Sequence, residues 1–211
     1  MSRNLSIKNL YAKQFKSFPF DGLWYRAFGC PESNGVWIIW GQEKNGKTWF
    51  ALLLADYLSQ FKKVLYISAE EGTGMDFVDA CRRAKLDPNN ANVKFNEYIN
   101  IEDLRKKLSS RKSADVIFID NCTVYMDEMK AADFQKLRLD FPEKLFVFLA
   151  HEEKKEPYSA LAKMTKKFSK VIVHVVGLTG FVSGRCPGGT LTVDENKAQI
   201  YWGNEISNHK N

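Results

Sequence analysis

Gly41-Gln42-Glu43-Lys44-Asn45-Gly46-Lys47-Thr48 fits the pattern GxxxxGK[ST] completely. These residue types at this spacing can hold a polyphosphate. The glycines allow backbone angles and close approach that side chains would block. Successive backbone N–H groups then point at phosphate oxygens, and the start of the following helix adds its positive dipole end. The Lys47 ammonium would neutralise the outer phosphates, and the Thr48 hydroxyl would bind Mg²⁺. Asp120 closes the apolar run "ADVIFID". A carboxylate at the tip of a buried strand next to the loop can hold Mg²⁺ through water. "VLYISAEEG" brings Glu70 and Glu71 to the same edge. One of them can direct water at a terminal phosphate while the other caps a helix. Glu70 is the preferred base.

These residues need strand tips to carry them, and the chain supplies strands. "GVWIIWG" (35–41), "KKVLYISAE" (62–70), "ADVIFID" (114–120) and "KLFVFLAH" (144–151) read as buried strands, with "NVKFNEY" as a weaker one. Helical patterns fall between them over 47–61, 73–85, 101–110, 127–141 and 157–169, with stops before Pro88 and at Pro142. Alternation of this kind predicts an α/β fold, a mainly parallel sheet with helices on both faces. The last forty or so residues change character. "KVIVHVVG", "LTGFVSG", "GTLTV" and "KAQIYWG" read as short antiparallel edge strands, with "DEN" (194–196) as a hairpin turn. The expected organisation is a lead-in over 1–34, a nucleotide domain over 35–203 and a flexible tail over 204–211.

With 211 residues, 45% hydrophobic, the chain has material for one real core. The net charge of +6 permits contact with nucleic acid without requiring it. Cys30, Cys81, Cys122 and Cys186 are scattered, which argues against a zinc site and for reduced thiols. The N-terminus lacks the apolar stretch of a signal peptide, and runs such as "VWIIW" are too short to span a bilayer. A cytoplasmic protein with no membrane association is expected.

Four ordered features resemble the RecA-like P-loop ATPases: GQEKNGKT, a strand ending in "SAEE", a strand ending in "IFIDN", and "FVFLAHEE". "LYISAEE" and the lead-in "FDGLWYRAFGCPESNGVWIIWG" look especially like the RadA/Sms branch and its single-domain phage and mobile-element relatives. The similarity spans most of residues 20–202. It implies an ATPase using ATP and Mg²⁺, acting on single-stranded or duplex DNA, and working as a homo-oligomer. It also implies that the polar residue after the fourth strand, His151, senses the γ-phosphate.

By the same resemblance, the segment after His151 would bind DNA. It carries Lys154, Lys155, Lys163, Lys166 and Lys167, with Tyr158 and Phe168 available to stack on bases. The same lysines also fit an ordinary solvated helix face. Arg185 in "VSGRCPGG" matches the arginine of a RadA-type lysine–arginine motif that acts on a neighbour's nucleotide, but Ser183 stands where the lysine would be. Two readings compete with a DNA-dependent ATPase. One is a P-loop small-molecule kinase, which would need an acceptor pocket and an arginine-rich lid. The other is a nucleotide-dependent scaffold with little turnover.

Overall fold

A computed structural model of the chain describes residues 4–210. Its elements run α1 (Ile7–Tyr11), α2 (Gly22–Phe28), β1 (Gly35–Gly41), α3 (Lys47–Ser59), β2 (Val64–Ser68), α4 (Met75–Arg83), β3 (Val93–Asn96) and α5 (Ile101–Ser109). There follow β4 (Val116–Asp120), a 3-10 turn (Cys122–Tyr125), α6 (Ala131–Asp140), β5 (Leu145–Glu153), β6 (Glu156–Pro157) and α7 (Ala160–Phe168). The chain closes with β7 (Val171–Val176), β8 (Thr179–Gly184), β9 (Gly189–Thr192) and α8 (Glu195–Lys210).

The sheet order is β3-β2-β4-β5-β1-β7-β8-β9, with β6 paired to the end of β5. β3 through β7 in this order are all parallel neighbours, and β8 and β9 add an antiparallel edge. The period-two geometry of a strand divides β1 between two cores. Trp37 and Ile39 pack with α2, α3 and the lead-in residues Phe18 and Phe20. Val36, Ile38 and Trp40 pack with apolar residues of α5, α6 and α7.

α3 is less amphipathic than its spacing implies. Phe50, Leu52, Leu54, Ala55 and Leu58 are all buried, because the lead-in covers the side away from the sheet. Tyr57 of α3 fastens that cover: its hydroxyl accepts the Asp21 N–H and donates to Asp21 Oδ1, both at 2.8 Å. α6 begins later than its pattern predicts, where Asp133 accepts the Lys130 N–H.

The main departure is at the C-terminus. Where a hairpin turn, a strand and a tail were expected, residues 195–210 form α8. Asp194 caps the helix by accepting the Lys197 N–H through its side chain, with Glu195 in the first turn. A capping signal was therefore read as a turn. The helix kinks at Trp202, whose φ/ψ of −134°/15° is not helical.

Candidate nucleotide site

The loop between β1 and α3 has the shape its glycines predict. Gly46 sits at φ 92°, and a Cβ there would fall 2.5 Å from Leu178 Cδ2. A Cβ on Gly41 would lie 2.2 Å from the Val175 carbonyl oxygen. Only glycine fits either place. Asn45 fixes the loop from the side. Its Oδ1 accepts the buried Gly177 N–H at 2.6 Å, and its backbone oxygen accepts the Leu178 N–H at 2.9 Å. Gly177 and Leu178 both have positive φ and make the two-residue turn between β7 and β8. The edge hairpin therefore buttresses the phosphate loop, a role the sequence reading left out.

Lys47, Thr48, Glu70, Glu71, Asp120 and His151 line one cavity of about 630 Å³, together with Glu43, Lys44 and Gly46 of the loop. Gln42 and Asn45 face a second cavity instead. Lys47 is buried, which lowers its pKa, and its Nζ donates to the Gln42 carbonyl at 2.8 Å. That interaction holds the ammonium beside the loop.

The Thr48 hydroxyl donates to Asp120 Oδ2 at 3.2 Å, and the fully buried Tyr66 hydroxyl donates to the same oxygen at 2.6 Å. β4 is not the neighbour of β1, since β5 lies between them. α3 reaches across that strand, so Thr48 at its start meets Asp120 at the tip of β4. Burial pushes the Asp120 carboxyl up to about 6, with Glu71 and Glu70 adding repulsion against the two hydrogen bonds. A carboxylate and a hydroxyl, both hard oxygen donors, fit Mg²⁺.

Glu70 is held from two sides. Asn121 Nδ2 donates to Oε2 at 3.1 Å, and His151 Nε2 lies 3.1 and 3.2 Å from the two carboxylate oxygens. His151 Nδ1 is buried without a protein partner. Asn121 and Tyr66 were not foreseen. "IFIDN" did carry the asparagine, and the tyrosine points the same way along β2 as Ser68.

The far end of the cavity is aromatic and cationic. The Arg83 guanidinium and the Lys197 ammonium sit 5.8 and 5.4 Å from the ring centroid of Trp49, and Trp202 closes that side. None of these was singled out from sequence, because Lys197 and Trp202 arrive on the unexpected α8.

The remaining predicted residues are elsewhere. Lys154 and Lys155 form the tip of the β5–β6 hairpin, both with positive φ and both exposed. Lys163 and Lys167 are exposed on α7. Lys166 is engaged: it pairs with Glu156 at 2.9 Å and sits 4.4 Å from the Trp40 ring centroid. Phe168 is tied up by Phe134 and by Arg138, while Tyr158 is exposed. Arg185 follows the end of β8 that pairs with the start of β7. That end is roughly 17 Å along the strand from the phosphate-loop edge, so the structure does not bring Arg185 to the nucleotide cavity of its own chain.

No family model matches the sequence, and no curated protein matches it. Solved structures do. The flagellar accessory protein FlaH from Methanocaldococcus jannaschii superposes over 86% of this chain and 96% of its own, at 16% identity and a TM-score of 0.62. The KaiC-like protein PH0186 from Pyrococcus horikoshii OT3 matches over 82% and 88%, at 13% identity and a TM-score of 0.59. The chain has the RecA-like fold. In this fold the parallel strands deliver the loop, Glu70, Asp120 and His151 to one edge of the sheet, where their side chains converge on one cavity. No helix among the described residues is long and apolar enough to cross a membrane.

Proposed function

We propose that the chain is a Mg²⁺-dependent ATPase of the RadA/Sms type, in which ATP binding and hydrolysis drive changes in DNA binding during recombination, repair or replication. The observation that carries this reading is the clamp on Glu70. Its carboxylate faces the same cavity as Lys47 and the Thr48–Asp120 pair, and it is oriented by Asn121 and His151. A fixed carboxylate a short distance from a phosphate cradle suits water activation better than phosphate binding alone, which favours turnover over a passive scaffold.

The residues divide the work. Loop amides and Lys47 bind the phosphates, with Lys47 exchanging the Gln42 carbonyl for phosphate oxygens. Thr48 and Asp120 would hold Mg²⁺, which would supply positive charge beside the phosphates. Glu70 orients the attacking water and takes its proton. His151 touches Glu70 directly, so any shift of Glu70 towards water and γ-phosphate is felt on β5. From there β5 continues into the Lys154–Lys155 hairpin, a basic tip suited to tracking a nucleic-acid backbone. Work as a homo-oligomer fits Arg185, which serves a nucleotide only if that nucleotide belongs to a neighbour. A cytoplasmic setting fits four free thiols.

The test is release of inorganic phosphate from ATP, with and without single-stranded DNA. We expect stimulation by DNA, and loss of all turnover in Lys47→Ala. Transfer of the γ-phosphate to a small metabolite in place of water would overturn the reading, and so would wild-type hydrolysis by Lys47→Ala.

A further inference from the structure

The second cavity, about 420 Å³, is bordered by Gln42 and Asn45 of the phosphate loop. Its wall is an aromatic stack. Trp40 and His174 lie face to face, with centroids 3.8 Å apart and planes 6° from parallel. His174 is held in that plane by Glu152, whose nearly buried Oε2 lies 2.6 Å from Nε2. Lys155 and Lys166 line the same space.

The last turns of α8 enter it. Glu205 and His209 stand four residues apart and share a helix face. Glu205 lines the cavity. The His209 ring sits edge-on against Phe181 and His174, at 4.3 and 4.6 Å, with Nε2 3.1 Å from His174 Nδ1. This half of the helix follows the kink at Trp202, and Glu205, Ser207, Asn208 and His209 are exposed.

The His209 ring and the Glu205 carboxylate thus border a space lined by the His174 ring, Lys155, Lys166 and Glu152, with the faces of Trp40 already covered by His174 and Lys166. A flat ring and an anion are the two chemical features of one unit of a single-stranded nucleic acid, a stacking base and an anionic phosphate. We infer that this cavity is a base-binding slot for single-stranded DNA, with the base meeting the His174 ring, and that the end of α8 is a built-in competitor that His209 holds in it, with Glu205 at its border. The inference rests on the DNA-binding reading above and specifies where a base would enter. Single strands are the fitting partner because their bases can be splayed onto aromatic rings, whereas those of a duplex are stacked and paired. Occupancy would be felt at the nucleotide, since Gln42, which borders the slot, holds Lys47 through its carbonyl.

The experiment is fluorescence anisotropy of a labelled oligothymidine with the full chain, comparing wild type with the double variant Glu205→Ala, His209→Ala. Both positions are exposed, so the fold should survive, and a retained thermal shift with ATP checks this. We expect the double variant to bind the oligonucleotide about tenfold more tightly, the scale of one stacked base. Adding Lys155→Ala and Lys166→Ala should remove the gain. Measurable wild-type binding that the double variant leaves unchanged would overturn the inference alone. An equal gain for duplex DNA would also overturn it. Absence of binding by both proteins, with ATP hydrolysis intact, would remove the DNA reading and the inference with it.

Discussion

Replacing Asp120 by asparagine should make the metal-free protein more stable at neutral pH while disabling it. The Asp120 carboxyl titrates at about 6 in the folded chain, against 3.8 for an ordinary aspartate. Its folded value is raised, so the native state holds a proton that the unfolded chain has released, and stability from this group falls as pH rises from about 4 through 6. Above that window the ionised group opposes folding. At roughly 1.4 kcal/mol per unit the opposition reaches about 3 kcal/mol. Asparagine removes the charge but accepts from Tyr66 and Thr48 more weakly than a carboxylate does, so about 1–3 kcal/mol of net gain is expected. For a chain of this size each kcal/mol moves the melting temperature by about 2–4 °C. Thermal unfolding in EDTA at about pH 8 should therefore favour Asp120→Asn by several degrees, and the advantage should vanish near pH 4. Adding ATP and Mg²⁺ should raise the wild type more than the variant, which keeps the loop amides and Lys47 but loses the metal-holding carboxylate. A variant less stable than wild type in EDTA at every pH would show that Asp120 carries no unfavourable charge, and the metal assignment would lose its electrostatic support.

Glu70→Gln should retain ATP binding but stall hydrolysis, because the amide keeps the contacts to Asn121 and His151 and cannot take a proton. If Glu71→Gln stalls instead, the wrong neighbour has been assigned, and trapped-nucleotide assays on both variants decide it. Asn45→Ala should leave the buried Gly177 N–H without an acceptor, at a cost of about 1–3 kcal/mol. It should also weaken ATP binding by loosening the loop from its buttress. Urea unfolding and nucleotide titration on that variant measure the two effects, and an unchanged ATP affinity would show that the hairpin does not position the loop.

Local chemistry wrote some of this protein directly into its order of residues. GxxxxGK[ST] after an apolar run specifies a phosphate loop because the constraint is a few consecutive backbone conformations, and strands as apolar as "VIFID" declare themselves by burial on both faces. Asp120 was recognisable for the same reason, since it ends a strand and the tips of parallel strands share an edge, and Glu70 follows β2 by two residues. His151 stood out only through the family resemblance, and it lies inside β5, which runs on to Glu153. What needed the tertiary structure was every relation across that edge. Asp120 lies one strand further from the loop than its role suggests, and only α3 closes the gap. Tyr66 and Asn121 acquired partners through contacts 54 and 51 residues away in the chain, which no periodicity encodes. α8 was misread because Asp194 and its neighbours suit a turn as well as a helix cap. Only the burial of Ala198 and the packing of Trp202 against Gly177 of the β7–β8 hairpin decided between them. Short-range sterics can be read along a chain, whereas the meeting of distant side chains is settled by the three-dimensional filling of a core.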